Sequence, residues 1–239
     1  MLSTGRSEAL HQDHRLPLPV CLRVHPRARR LKLRLDERRA LLLLTCPPRS
    51  SRKAALDWAA SQRAWVEARL AEAQPAVPLA PGATIPLEGF ETLLHWDEAA
   101  ARTVVWSPGR LACGGPPDGF ARRIHAWLRA RARDLLSADT AAVAAKAGVS
   151  VRRVSIGDAG SRWGSCSASG SIRYNWRLVL APPEVRRWVV AHEVAHRLHM
   201  NHGPAFKALE AELFDGDAEA ARRLLRRVGP GLKRVGRGL

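Results

Sequence analysis

The chain has 239 residues and a formal charge of +17, from 39 Lys and Arg against 22 Asp and Glu. This length permits one large domain or two small ones, each with a buried core. Because no uninterrupted apolar run approaches the roughly eighteen residues of a membrane-spanning helix, we expect a soluble protein with no membrane contact.

The positive charge is carried mostly by arginine. A basic surface attracts polyanions, so the charge suggests contact with nucleic acid or a nucleotide. A chain this rich in Arg and Ala, with so few lysines, also fits a coding bias, and the charge alone decides neither interpretation. In either case the field should draw anionic substrates toward a cleft in a salt-dependent manner.

The four cysteines, Cys21, Cys46, Cys113 and Cys166, are widely spaced and form no C-x-x-C motif. We therefore expect buried free thiols and no disulfides. The first sixteen residues lack the apolar segment of a secretory signal. Together these features predict a cytoplasmic protein.

The N-terminal part of the chain predicts a tail followed by a β-rich lobe. Residues 1–16 have no apolar core and are interpreted as a disordered tail, and residues 17–117 as the lobe. Residues 31–35 alternate apolar and basic side chains, and residues 40–46 are a second extended apolar run after a charged turn. This pattern indicates a β-hairpin.

A tryptophan-bearing helix follows this hairpin. Ser50 or Ser51 can cap it, after two prolines that stop the second strand. Trp58 and Trp65 are seven residues apart, which predicts that they share a buried helix face.

The rest of the lobe is predicted as a connector and three short strands. Residues 75–86 are proline-rich and are interpreted as the connector. Residues 93–96, 103–106 and 110–113 read as strands, and residues 114–117, Gly-Gly-Pro-Pro, mark the boundary of the lobe.

Residues 118–228 are predicted to form a second domain, and residues 229–239 a basic C-terminal tail. The expected elements of this domain are, in chain order, a helix at 120–148, strands at 151–156, 162–167 and 171–180, a helix at 184–198 and a helix after Gly203-Pro204. The last two strands form a hairpin. The fold class is α+β, with a minimal zincin-like core in which a short antiparallel sheet packs on the helix at 184–198, beside the N-terminal β-rich lobe.

The helix at 184–198 carries the sequence His192-Glu193-Val194-Ala195-His196, an H-E-x-x-H motif. Side chains four residues apart lie on the same helix face, so one cation can bridge the two imidazoles. A catalytic zinc takes three protein ligands and leaves a fourth position to water. Glu193 can accept a proton from that water, which zinc activates by lowering its pKa to about 7.

The third ligand should lie just beyond the helix. His202 follows the helix by a short turn and can return to the same ion, so we favour it. His199 is the competitor, because it is three residues from His196, but on a continuing helix it would lie one turn further along the axis. The predicted site is one zinc ion per chain, held by His192, His196 and His202.

Several segments together resemble the YgjP-like metallopeptidase family, which is related to the SprT-like and WLM zinc metalloproteases. The segments that carry the resemblance are Arg162-Trp163-Gly164-Ser165-Cys166-Ser167, Asn175-Trp176-Arg177-Leu178, Leu180-Ala181-Pro182-Pro183, the H-E-x-x-H motif, His199 to Pro204 with Phe206, and the Pro-Gly-x-x-Ile-Pro-Leu segment at 81–87. The resemblance implies zinc on the three histidines and Glu193 as catalytic base. One departure is Lys207, where these families often have an aromatic residue.

Further site residues are suggested by position alone. Arg162, Ser165 and Asn175 fall in the family's signature strands and are candidates for binding substrate or stabilising an oxyanion, although a purely structural hairpin is an equal alternative. Glu210 on the following helix is a candidate partner for a ligand histidine, although a solvated or ion-paired glutamate is the more conservative interpretation.

The preferred function is a zinc-dependent metallopeptidase acting on a peptide or protein. The first alternative is a metal-dependent hydrolase of nucleoside triphosphates, which requires arginines that converge near the metal. The second is a nucleic-acid-binding module with structural zinc, which would close its site with a fourth Cys or His and would not need Glu193.

Overall fold

The computed structural model describes residues 8–36, 39–72 and 75–238. The chain divides into two compact units, Met1–Pro75 and Ala76–Leu239. The structure thus places the division at residue 75, whereas the sequence interpretation placed it at 117. The reason is packing, since Leu94 and Leu111 of the predicted β-rich lobe share one hydrophobic core with Phe120 and Leu128 of the following helix.

The first unit contains a four-stranded sheet in the order β1-β2-β4-β3. Its strands are β1 (Glu8–His11), β2 (Val20–Val24), β3 (Lys32–Asp36) and β4 (Leu41–Cys46). The predicted hairpin is confirmed, because β3 and β4 pair antiparallel; Glu37 and Arg38 of its turn lie outside the described residues.

Part of the predicted disordered tail is a strand. Residues 1–7 lie outside the described residues, but β1 pairs antiparallel with β2. Four residues with little apolar character give no strand signal of their own, and the hydrogen bonds to β2 supply what the local sequence lacks.

Two helices cover this unit, α1 (Arg52–Ser61) and α2 (Arg63–Glu72). Ser51 caps α1 by accepting a hydrogen bond from the Ala54 backbone N–H, as predicted. The prediction that Trp58 and Trp65 share a buried helix face is wrong. The helix breaks at Gln62, which shifts the helical phase so that Val66 is buried while Trp65 remains 38% exposed.

The second unit begins with a four-stranded sheet in the order β5-β6-β8-β7. Its strands are β5 (Thr84–Leu87), β6 (Phe90–Trp96), β7 (Val105–Ser107) and β8 (Arg110–Cys113). The last three were predicted. The first, β5, lies mostly in the proline-rich stretch that was predicted to be a connector. β5 is an edge strand of its sheet, and an edge strand tolerates a proline such as Pro86.

The long helix α3 (Phe120–Lys146) leads to a three-stranded sheet of β9 (Arg153–Gly157), β10 (Gly164–Cys166) and β11 (Ser171–Asn175). β11 is central, antiparallel to β10 but parallel to β9. The predicted antiparallel sheet is therefore mixed, because the chain crosses back between β9 and β10 before the hairpin forms. Residues Trp176–Leu180, predicted as strand, form a 3₁₀ turn.

Three helices complete the unit: α4 (Pro183–Ala195), α5 (Pro204–Phe214) and α6 (Ala218–Leu232). The basic C-terminal tail predicted at 229–239 is partly wrong. α6 runs through Leu232, and Leu232 and Val235 are buried in the core, because an apolar stripe accompanies the exposed arginines of this amphipathic helix.

The α+β class is confirmed, and all four cysteines are free. Across the described ranges we find no helix that has the length and apolar character needed to span a membrane.

Candidate metal centre

Helix α4 carries the H-E-x-x-H motif and is anchored by its apolar side. Pro183 starts the helix, and Val185, Val189 and Val190 are buried in the core. The helix ends three residues earlier than predicted, so His196 is its C-cap residue. This early end lets the chain turn after His196 and bring His202 back toward the helix.

The structure brings the three predicted ligands together. One potential ligand atom from each of His192, His196 and His202 lies within 4.8 Å of the others. The Nε2 atoms of His202 and His192 are 3.3 Å apart. Two nitrogens bound at about 2.05 Å to one tetrahedral zinc would be about 3.3 Å apart, so this pair has the spacing that the ion requires.

The other ring nitrogen of two ligands is already engaged. His192 Nδ1 lies 2.7 Å from Glu210 Oε1, and His196 Nδ1 lies 2.9 Å from the His199 backbone carbonyl oxygen. When each Nδ1–H donates to these oxygens, each Nε2 carries the free lone pair and is directed to the common space. His199 thus contributes its carbonyl group, while its ring is outside the cluster that the described residues form.

Phe206 of α5 closes one side of the cluster. Its ring centroid lies 5.0, 4.6 and 4.8 Å from those of His192, His196 and His202. Desolvation by burial lowers the pKa of His196. An imidazole must be neutral to bind a metal, so this environment favours the ligand form.

Glu193 lies beside the histidines and against strand β10. Its side chain is only 5% exposed, and its Oε2 has no hydrogen-bond partner among the described residues. Desolvation raises its pKa to about 7, against the opposing effects of His192, Arg162 and the Cys166 backbone N–H. A buried carboxylate with an unpartnered oxygen is the feature expected where a water or substrate group completes the site.

Gly164 makes room for this carboxylate. A Cβ atom built on Gly164 would lie 2.4 Å from Glu193 Oε1 and 2.6 Å from its Cγ. No side chain therefore fits at this position without displacing Glu193. Gly164 belongs to one of the segments that carry the family resemblance, but nothing in the residue pattern signals this role.

The three candidate residues for substrate or oxyanion binding are placed differently. Arg162 is exposed, and its charge acts on Glu193. Ser165 follows Gly164 along β10, so its side chain lies on the face away from Glu193. Asn175 is occupied at both ends, donating to the Ala159 carbonyl and accepting from the Arg177 backbone N–H.

Glu210 contacts His192, as expected of a partner for a ligand histidine; of the alternative, a solvated or ion-paired glutamate, the solvated form does not fit this contact. The spacing along α5 indicates that Glu210 lies on the side of the helix that faces the histidine cluster. Phe206 and Glu210 are four residues apart on α5 and so share one helix face.

The chain matches the family model "YgjP-like, metallopeptidase domain" over residues 29–227. No curated protein matches it significantly. A solved structure, the metallopeptidase zymogen of Pyrococcus abyssi abylysin, is similar at 17% identity and a TM-score of 0.36, over 39% of this chain and 95% of that one, and at this TM-score the likeness supports no conclusion. The chain belongs to the YgjP-like metallopeptidase family.

Proposed function

We propose that this chain is a zinc-dependent metallopeptidase with one ion on His192, His196 and His202 and with Glu193 as general base. The observation that carries the proposal is the convergence of three imidazoles on a space beside a buried carboxylate oxygen to which none of the described residues donates a hydrogen bond. Three nitrogen ligands and a nearby acid are the donor set of a catalytic zinc site, which leaves one position open.

The bound ion would act as a Lewis acid, polarising the substrate carbonyl and lowering the pKa of water. Glu193 accepts a proton from the water as the water oxygen attacks the carbonyl carbon. It then donates this proton to the amide nitrogen as the C–N bond breaks, so that the carboxylate is regenerated. A pKa raised to about 7 by burial suits a group that must both take and release a proton near neutral pH.

Strand β10 supports a peptide as the substrate. It is the edge strand of its sheet and pairs with β11 on one side only. Just beyond its two ends, the Asn175 N–H donates to the Trp163 carbonyl and the Ser167 N–H donates to the Ser171 carbonyl. The backbone groups of Gly164 and the Cys166 carbonyl therefore face away from β11 at this edge, whereas the Cys166 N–H is bonded to Glu193. An extended peptide can pair with such an edge and present its scissile bond next to Glu193.

The two alternatives have less support. A nucleotide hydrolase would need several arginines at the metal. Within the described part of the chain, Arg162 is the arginine whose charge acts on Glu193. A structural zinc site would close with a fourth Cys or His, and the cluster that the described residues form has three histidines.

The proposal is tested on purified full-length protein loaded with zinc. We expect about one zinc per chain by elemental analysis and hydrolysis of unfolded casein. Glu193→Gln should keep the metal and lose hydrolysis, at least about 10³-fold, because the base is removed while the ligands remain. Hydrolysis of nucleoside triphosphates alone, abolished by the same variant, would replace the peptidase with the nucleotidase.

A further inference from the structure

The loop between β9 and β10, residues 158–163, is held by the C-terminal end of the chain. This loop leads directly into Gly164, which lies against Glu193, and carries Arg162, whose charge acts on Glu193. Its position therefore determines how β10 and the arginine lie against the general base.

Lys233 makes the most direct contact with the loop. It follows the last turn of α6, and its Nζ donates a hydrogen bond of 2.7 Å to the Gly160 carbonyl oxygen. The same ammonium lies 5.0 Å from the centroid of the Trp163 indole, a cation–π arrangement. One side chain thus holds the loop at two points, three residues apart.

Gly229 of α6 brings the helix close enough for this contact. A Cβ atom at Gly229 would lie 3.1 Å from Cζ2 of Trp163, so the indole packs directly on the helix backbone. Trp163 is adjacent to Gly164. Trp163, the residue that precedes β10, is therefore in contact with both the α6 backbone and the Lys233 side chain.

The segment that carries Lys233 is itself fixed. Arg177 is 3% exposed, and its Nε donates 2.8 Å to the Val235 carbonyl oxygen while its guanidinium pairs with Asp158. Val235 also forms a β-bridge with Val77. A rigid support makes the Lys233 contact effective, because a mobile lysine would not constrain the loop.

We propose that Lys233 is a positioning residue of the active site, which holds the Gly160 carbonyl and the Trp163 indole so that Arg162 and Gly164 lie correctly against Glu193. The inference rests on the proposed peptidase function. Lys233 touches neither the three histidines nor Glu193 in the contacts described, so its effect should fall on catalysis and leave metal binding intact.

The test compares Lys233→Met, Lys233→Arg and the matched control Lys53→Met, which removes an exposed lysine of α1. All are full-length and zinc-loaded. For Lys233→Met we expect about one zinc per chain and kcat for casein reduced about ten-fold or more with KM changed less, since small displacements of catalytic groups cost rate steeply. Lys233→Arg should recover most of kcat, because Arg also donates to a carbonyl and stacks on indole.

A second measurement does not depend on activity. Hydrogen–deuterium exchange over residues 158–166 should be several-fold faster in Lys233→Met, with β5 to β8 unchanged. Unchanged exchange over residues 158–166 in Lys233→Met overturns the proposal. So does faster exchange there combined with a wild-type kcat, and so does faster exchange throughout the second unit. If the wild type hydrolyses no peptide, the proposed function fails, and the exchange result alone decides whether Lys233 holds the loop.

Discussion

Removal of the Glu210 carboxylate should weaken zinc binding. Glu210 Oε1 lies 2.7 Å from His192 Nδ1, and the glutamate side chain is 14% exposed. This hydrogen bond fixes the His192 ring and makes its Nε2 more basic, so that the lone pair faces the ion. We expect Glu210→Ala to release zinc more readily while the protein stays folded.

The magnitude follows from the short, charge-assisted bond and its burial. Loss of such a partner behind a metal ligand typically costs 10- to 100-fold in affinity, or about 1.4 to 2.7 kcal/mol. For Glu210→Ala we expect about 100-fold, because nothing replaces the carboxylate. Glu210→Gln should cost about ten-fold, because the amide oxygen still accepts from Nδ1–H but without the charge.

The assay is competition for zinc with a chromogenic chelator at constant pH and salt. Glu212→Gln is the matched control, since Glu212 is exposed on the same helix, and it should bind zinc like the wild type. Wild-type affinity in Glu210→Ala would refute the reasoning, as would equal losses in Glu210→Gln and Glu212→Gln.

Four further substitutions test three separate expectations. His202→Ala should lose stoichiometric zinc while His199→Ala keeps it, measured by elemental analysis after dialysis, because only the carbonyl of His199 takes part. Gly164→Ala should keep zinc but lower kcat/KM about 100-fold, because the new Cβ displaces the Glu193 carboxylate; a wild-type rate would contradict the close approach. Arg186→Leu should lower the free energy of unfolding in urea by about 3 kcal/mol, because it leaves the partly buried Asp139 carboxylate without its arginine, while Glu88 keeps its pair with Arg131; a loss below about 1 kcal/mol would mean that the network does not stabilise the fold.

Local patterns predicted most of the elements in the second unit. The helices α3, α4 and α5 have strong periodicity and clear start signals, and they form close to the expected residues. The errors lie where pairing with another strand, or packing on the core, decides the structure. β1 and β5 exist because a neighbouring strand supplies hydrogen bonds, and α6 is ordered because its apolar stripe meets the core.

The same division holds for the site. The spacing of His192, Glu193 and His196 is a local helical property, so it could be read directly from the chain. The orientation of Ser165 and the commitment of the Asn175 amide depend on strand register and on a loop sixteen residues away. The identities of Ser165 and Asn175 alone therefore predict neither property.

The sequence by itself predicted the chemistry that we propose for this protein, because an H-E-x-x-H helix places two imidazoles and a carboxylate together through local geometry. Tertiary structure decided which groups support that chemistry. Glu210 behind His192, Gly164 against Glu193 and Lys233 over Trp163 are each contacts between separate elements. Such contacts depend on how helices and strands pack, which residue spacing along the chain does not encode.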